Sequence, residues 1–276
     1  MDPLAEVVAY YERFAEESRL TEGPSRLEFE RTKELLLRIL PQHPCRIVDV
    51  GGAAGAYSTW LASLGHEVHL VDAAPRLIDE AHRRNANSSK RIASLSVADA
   101  RALQQPDDFA DVVLVMGPLY HLTEANDRLK ALGEARRILR PSGRIAVAAI
   151  SRYASALDGL ARNLTVDPAF VRIRDRDLRD GQHRNDTDRP DYFTTAYFHR
   201  PEDLVSELET SGFTGVRVFG IEGPAWILAD FDARWNDPAS RNEIMTVARA
   251  LESEPAIIAA SAHLLATGTK GGEKKS

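Results

Sequence analysis

Apolar and polar positions change period several times along the chain, and each change marks an element. Leu4, Val7, Val8, Tyr11 and Phe14 recur at helical spacing until Thr21-Glu22-Gly23-Pro24 breaks the run. A second helix is expected from Ser25, which has capping-box spacing to Glu28. It continues through Phe29, Thr32, Leu36, Ile39 and Leu40, and Pro41 and Pro44 stop it. Short β-branched or apolar runs then predict strands at Arg46–Val50, Glu67–Asp72, Ile92–Asp99, Asp111–Met116 and Arg144–Ile150. Helical stripes separate them: Tyr57, Trp60, Leu61 and Leu64; Leu77, Ile78 and Ala81; then Ala125, Leu129, Leu132, Ala135 and Leu139. Pro141-Ser142-Gly143 is expected as a turn before the fifth strand. Repeated β-α-β units predict an α/β fold, with a mostly parallel sheet covered by helices on both faces.

Beyond Ile150 the regularity stops. Residues 151–200 are polar and charged, and the pattern predicts a long irregular lid or binding element. A helix at Pro201–Gly212 and a strand at Gly215–Ile221 follow. A second insertion, Gly223–Pro255, carries Trp226, Phe231 and Trp235, and the apolar run Ile257–Thr267 is expected as the final strand.

Composition narrows the class. Of 276 residues, 43% are hydrophobic and 28% charged, with a net charge of −6, as in an ordinary globular protein. No apolar run reaches the roughly 18–20 residues of a membrane span. The first residues do not form a signal peptide, and the single cysteine, Cys45, excludes an intrachain disulfide. A cytoplasmic enzyme, monomer or homodimer, with a small-molecule substrate and no nucleic-acid or membrane partner is the expectation. The acidic balance supports the absence of a nucleic-acid face. The arginines of residues 172–189 alternate with aspartates, which predicts a solvated or salt-bridged segment.

The chemistry starts at Ile47-Val48-Asp49-Val50-Gly51-Gly52-Ala53-Ala54-Gly55. A strand ending in small residues and opening a helix lets a ligand approach the backbone and its amides. Asp72 ends the second strand, where a carboxylate can accept bonds from both hydroxyls of a ribose. Together they fit a nucleoside-containing cofactor. Asp99, in Val97-Ala98-Asp99-Ala100, is placed to meet an adenine amino group, and strand four ends in Met116-Gly117-Pro118-Leu119-Tyr120-His121-Leu122.

From about Pro44 to Ile150, and again at Pro201–Ile221 and the final strand, the sequence resembles class I S-adenosylmethionine-dependent methyltransferases, specifically bacterial enzymes acting on small molecules. The resemblance implies a Rossmann-like sheet of seven strands whose last is antiparallel and inserted near the edge. It implies one domain over 1–276, with a helical N-terminal cap (1–40), a cofactor-binding core (41–150), substrate-side lid insertions (151–200 and 223–255) and a disordered tail (269–276). Carried over by position, Asp49, Gly51, Gly52 and Gly55 form the loop around the methionine part of S-adenosylmethionine. Asp72 and Ala73 hold the ribose, Asp99 and Ala100 the adenine, and Met116 lines the cofactor. Tyr11 and Arg31 are expected to close over its carboxylate. The family often has glycine where Ala53 stands, a departure that could tighten the loop.

Methyl transfer from a sulfonium to oxygen or nitrogen, with carbon as a further option, requires in-line placement and exclusion of water. An oxygen acceptor also benefits from a base. His121 is the first candidate, Tyr120 could orient the acceptor, and His183 in Asp180-Gly181-Gln182-His183-Arg184-Asn185 is a second base candidate. Tyr192, Phe193, Tyr197, Phe198 and His199 give the lid an aromatic end suited to a flat or apolar substrate. No metal site is expected: Asp186 and Asp188 lie near His183 among arginines. Met116-Gly117-Pro118-Leu119-Tyr120 departs from the Asn/Asp-Pro-Pro-Tyr of enzymes that methylate bases or glutamine. Gly117 stands where the amine-binding residue would be, and Leu119 where the second proline would be. The rivals are an RNA methyltransferase, a non-catalytic S-adenosylmethionine-binding protein of the same fold, and a nucleotide-dependent oxidoreductase.

Overall fold

The computed structural model describes residues 3–12 and 16–272. Phe14 and residues 273–276 of the expected tail lie outside them. Among the described residues there are nine strands: β1 (Arg46–Val50), β2 (Glu67–Asp72), β3 (Ser94–Val97), β4 (Ala110–Val115), β5 (Leu139–Ser151), β6 (Gln182–His183), β7 (Ala196–His199), β8 (Phe213–Gly220) and β9 (His263–Lys270). The helices are α1 (Pro3–Tyr11), α2 (Ser25–Ile39), α3 (Ala56–Ser63), α4 (Pro75–Ala86), α5 (Pro118–His121), α6 (Ala125–Ile138), α7 (Ala154–Ala161), α8 (Pro168–Asp180), α9 (Pro201–Thr210), α10 (Phe231–Asn236) and α11 (Pro238–Leu251).

Seven strands follow the order β3-β2-β1-β4-β5-β9-β8, and β9 is antiparallel to both its neighbours. The expected seven-strand sheet is therefore present, with an addition. A small ribbon, β6 with β7, joins the far end of β5 through Ile150 and Ser151, which pair with Phe198 and His199.

The central strands are buried on both sides because side chains alternate across a pleat. Val48, Val113, Val115, Ile145 and Val147 pack with Leu132 of α6 and Leu204 and Leu208 of α9. Ile47, Val112, Leu114 and Ala146 pack with Leu35 and Leu36 of α2, Leu61 of α3 and Ile78 of α4. This two-sided core fixes the carboxyl ends of β1, β2 and β4 as one rim, where open α/β sheets place their ligands.

Several sequence expectations need correcting. Pro141-Ser142-Gly143 lies inside β5 as a kink: pairing with β4 jumps from Ala110 opposite Leu139 to Val112 opposite Arg144, with Ser142 at φ +63°. The final strand starts only at His263, because Ile258–Ala260 forms a 3-10 turn, and it runs through Thr269 and Lys270. Those two residues are thus ordered sheet rather than tail, and Lys270 Nζ donates to Asp108 at 2.8 Å.

Residues 151–200 are not irregular. Asp167 caps α8 by accepting the Ala169 amide, and Gly181 ends it at φ +77°. The alternating charges resolve into ion pairs such as Arg174 with Asp175, Arg176 with Asp186 and Arg189 with Asp191. The second insertion packs back on α2, where Leu27 meets Ala225, Phe231, Trp235 and Ile244.

Candidate active site

Two cavities that share walls open on the rim. The first runs along the β1–α3 loop and takes in Asp72, Asp99 and Met116. The second lies under the 151–200 insertion. Tyr11, Arg19 and Tyr120 line both.

The loop's shape follows from close packing. Gly51 sits at φ +74°, and a Cβ there would lie 2.2 Å from Pro118 Cδ, so glycine is required where the loop meets the start of α5. Ala53 also adopts the left-handed region, at φ +48°, which costs an L-residue roughly 1–2 kcal/mol. Its amide donates to Asp72 Oδ2 at 2.8 Å, and the Ala74 amide donates to Asp72 Oδ1 at 2.9 Å. Burial pushes the Asp72 carboxyl up, against the pull of these amides.

Asp49 stands behind the loop and does not line the cavity. It is buried, accepts the Ser58 hydroxyl at 2.7 Å, and lies against the Cα of Gly52. Burial, helped by the nearby Asp72 charge and opposed by Ser58, pushes its carboxyl up to about 6. Gly55 likewise turns the chain into α3 from outside the lining. Gly51, Gly52, Ala73, Ala100 and Met116 are on the wall as expected. Asp99 is there too, gripped by Arg101 through Nε and Nη2 at 2.6–3.1 Å, and Arg101 also reaches Asp127. Those bonds outweigh burial and hold the Asp99 carboxyl below its usual range.

His121 is buried at the end of α5. Its Nδ1 lies 3.3 Å from the Thr195 carbonyl and its Nε2 2.9 Å from the Tyr11 hydroxyl. The carbonyl can only accept, so Nδ1 carries the hydrogen and Nε2 receives the Tyr11 proton. Desolvation drives the imidazole down to about 4. Tyr120 packs edge-on against this ring and donates to the Met116 carbonyl at 3.4 Å.

His183 borders the second cavity, but both ring nitrogens are engaged: Nδ1 with Asp177 at 2.9 Å and Nε2 with the Tyr192 carbonyl at 2.8 Å. Its ring stacks on Phe198 at 4.7 Å.

Arg31 corrects an expectation. It is fully buried between α2 and α11, bonded to Glu34 and Glu252, and it lines neither cavity. The resemblance alone suggested it, and its face of α2 packs on the second insertion rather than on the loop. Arg19 and Arg84 are the guanidinium groups on the first cavity's wall, and Arg19, which also lines the second cavity, was not singled out in the sequence. Arg19 sits on a short 3-10 turn without a periodic signal, and it binds Glu28 in a two-pronged pair at 2.6 and 2.9 Å. His263, at the start of β9, is the other residue missed. A histidine inside an apolar strand reads as packing until the partner strands are known.

The first cavity's donor set suits a nucleoside cofactor with an amino-acid tail. It offers a carboxylate for a diol at Asp72, exposed backbone and an acid around Ala98–Ala100, and a cation at Arg19 for a carboxylate. Comparison with known proteins agrees. Residues 48–147 match the methyltransferase domain family. A glycine/sarcosine N-methyltransferase of Parasynechococcus marenigrum is 30% identical over 138 residues, covering 49% of this chain and 48% of that protein. A ubiquinone biosynthesis O-methyltransferase of Xanthomonas euvesicatoria is 30% identical over 136 residues, covering 49% and 52%. The chain thus spans about half the length of the curated relatives it matches. Among solved structures, a Thermotoga maritima S-adenosylmethionine-dependent methyltransferase, a possible histamine N-methyltransferase, shares the fold at TM-score 0.56 and 19% identity, covering 98% of this chain and all (100%) of that one. A Haemonchus contortus phosphoethanolamine N-methyltransferase, solved with S-adenosyl-L-methionine, does so at TM-score 0.58 and 17% identity, covering 88% and 53%.

Proposed function

We propose that the chain is a class I S-adenosylmethionine-dependent methyltransferase and that it methylates a small organic molecule at oxygen or nitrogen, held in the second cavity. One observation carries this reading. The cavity that suits the cofactor and the cavity under the insertion share Tyr11, Arg19 and Tyr120 as walls, so two ligands can meet there. The activities named for the glycine/sarcosine and ubiquinone-biosynthesis relatives support a small acceptor.

When bound, S-adenosylmethionine supplies a methyl group on a positively charged sulfur, ready for in-line displacement. The protein's share is placement. Asp72 holds the ribose hydroxyls while bracing the loop through the Ala53 amide. Asp99, fixed by Arg101, and the adjacent backbone hold the base. Arg19 takes the carboxylate role first expected of Arg31. Tyr11, anchored on His121, and Tyr120 form the junction and exclude water from it. His121 acts as a positioning residue, because both nitrogens are engaged and its depressed basicity leaves it neutral near pH 7. His183 holds the insertion together through Asp177 and the Tyr192 carbonyl. Among the described residues no helix is long and apolar enough to cross a membrane.

The test is calorimetric titration with S-adenosylhomocysteine, with NADH as the parallel ligand. Micromolar binding of the first alone supports the reading; preference for NADH, or binding of neither, overturns it.

A further inference from the structure

The second cavity has an unusual wall. Tyr120, Phe193, Phe198 and Trp226 present aromatic surface, and the Trp226 ring is pinned by its indole N–H to the Ala260 carbonyl at 3.0 Å. Two imidazoles stand in this lining, and while His183 is engaged at both nitrogens, His263 is not. Its Nδ1 lies 2.6 Å from Glu222 Oε1. Glu222 is buried, and its other oxygen accepts the Ser261 hydroxyl at 2.6 Å and the His263 amide at 3.1 Å. A carboxylate so held can only accept, so the His263 hydrogen sits on Nδ1 and the lone pair on Nε2. His263 differs in this from His121 and His183, whose two nitrogens are both engaged.

Glu28 completes the surroundings, 3.7 Å from the same Nδ1 and paired with Arg19. Oxygen and nitrogen atoms of Glu28, Glu222 and His263 all lie within 4.8 Å of one another, an arrangement that could also hold a cation. Here the Arg19 guanidinium already answers Glu28, and Ser261 and a backbone amide fill Glu222. The cluster is therefore a carboxylate–histidine relay.

We propose that the second cavity is the acceptor site for an aromatic compound bearing a hydroxyl or amine, and that His263, oriented by Glu222, is its general base. The proposal rests on the cofactor reading of the first cavity. As the acceptor's oxygen or nitrogen lone pair forms its bond to the methyl carbon, the carbon–sulfur bond breaks and leaves its electron pair on sulfur. The acceptor's proton passes to His263 Nε2 and from there to water. No other reactant is needed. Burial alone would lower the basicity of His263, but the Glu28 and Glu222 carboxylates outweigh it and Arg19 subtracts little, so the imidazole is held above its ordinary value. A raised basicity strengthens the imidazole as a proton acceptor.

The experiment offers catechol, 4-hydroxyphenethylamine and indole-3-ethylamine with methyl-labelled S-adenosylmethionine. At least one should take up label. His263→Ala should then lower kcat about 10²–10⁴-fold with S-adenosylhomocysteine affinity unchanged. Glu222→Gln should move the acidic limb of the kcat/KM profile to lower pH, since loss of the anion makes the imidazole less basic; a packing role would leave that limb in place. Labelling of none of the three while S-adenosylhomocysteine still binds, a kcat within threefold, or an unmoved limb would each overturn the base assignment and leave the cofactor reading intact. Should His263→Ala not fold, carbethoxylation of the wild-type protein serves instead. His263 should react faster than His121 and His183 by peptide mass mapping, and equal reactivity would overturn the proposal.

Discussion

The Ala53 amide and the Asp72 carboxylate are joined by a 2.8 Å hydrogen bond, so the acid expected to grip a ribose also fixes the loop beside it. Removing the carboxylate therefore removes two things. Asp72→Ala should weaken S-adenosylhomocysteine binding by about 1–3 kcal/mol, and Asp72→Asn, which keeps an acceptor for one amide, by less. Equal losses in calorimetry would mean the brace contributes nothing.

Ala53 itself carries a backbone that glycine tolerates without strain. Ala53→Gly relieves the left-handed penalty and gives back some chain entropy in the unfolded state, for a net gain of about 0.5–1 kcal/mol. Chemical denaturation should show a higher midpoint with cofactor affinity within twofold. A lower midpoint would contradict the strain.

Asp49 and His121 give opposite pH dependences. The folded chain keeps a proton on Asp49 up to about pH 6, while the unfolded chain releases it near 3.8, so this contribution is present at low pH and lost as pH rises through about 6. Asp49→Asn should accordingly stabilise the protein at pH 8 by on the order of 1–3 kcal/mol and do little at pH 4. His121 refuses its proton down to about pH 4 when folded but binds it near 6.5 when unfolded, so its contribution is full above 6.5 and falls as pH drops toward 4. His121→Gln should flatten that acid-side loss. Urea titrations across pH 4–8 check both slopes.

Arg19 and Arg31 should separate binding from stability. Arg31→Met breaks a buried ion-pair network and should cost about 3–5 kcal/mol of stability with S-adenosylhomocysteine affinity unchanged. Arg19→Ala should weaken that affinity about 10–100-fold, the loss of a charged hydrogen-bond partner. The reverse pattern would restore Arg31 to the site.

His183→Ala strands the buried Asp177 carboxylate with the Ser155 hydroxyl as its remaining side-chain partner. A loss of about 2–4 kcal/mol in thermal unfolding is expected, with kcat within threefold wherever the variant remains folded. A thousandfold drop in kcat without loss of stability would make His183 the base.

The parallel core was legible because buried strands and amphipathic helices impose different periods, and Ile47–Val50 or Val112–Val115 can be little else. Loop residues Gly51 and Asp72 were legible because a tight turn and a strand-end acid have fixed spacing. Arg31 and Arg19 were not. Which cation faces the cleft depends on how α2 rotates against the second insertion, and that is settled by Leu27, Phe231 and Trp235, some 200 residues apart. His263 was hidden for a related reason: its partner Glu222 lies 41 residues away and meets it only through antiparallel pairing of β8 with β9. The kink at Ser142 escaped because proline and glycine mark a break in direction, and a sheet can absorb that break as a register shift.

Helix α1 holds down both cavities by a handful of bonds. The Tyr11 carbonyl accepts from Arg76 at 2.8 and 3.1 Å, the Tyr11 hydroxyl meets His121, and Glu6 accepts the Thr195 hydroxyl at 2.7 Å from the insertion side. Val7, Val8 and Tyr11 roof the cleft. One short helix therefore braces the junction through Tyr11 and the insertion through Glu6, so the walls of the two cavities share a single support.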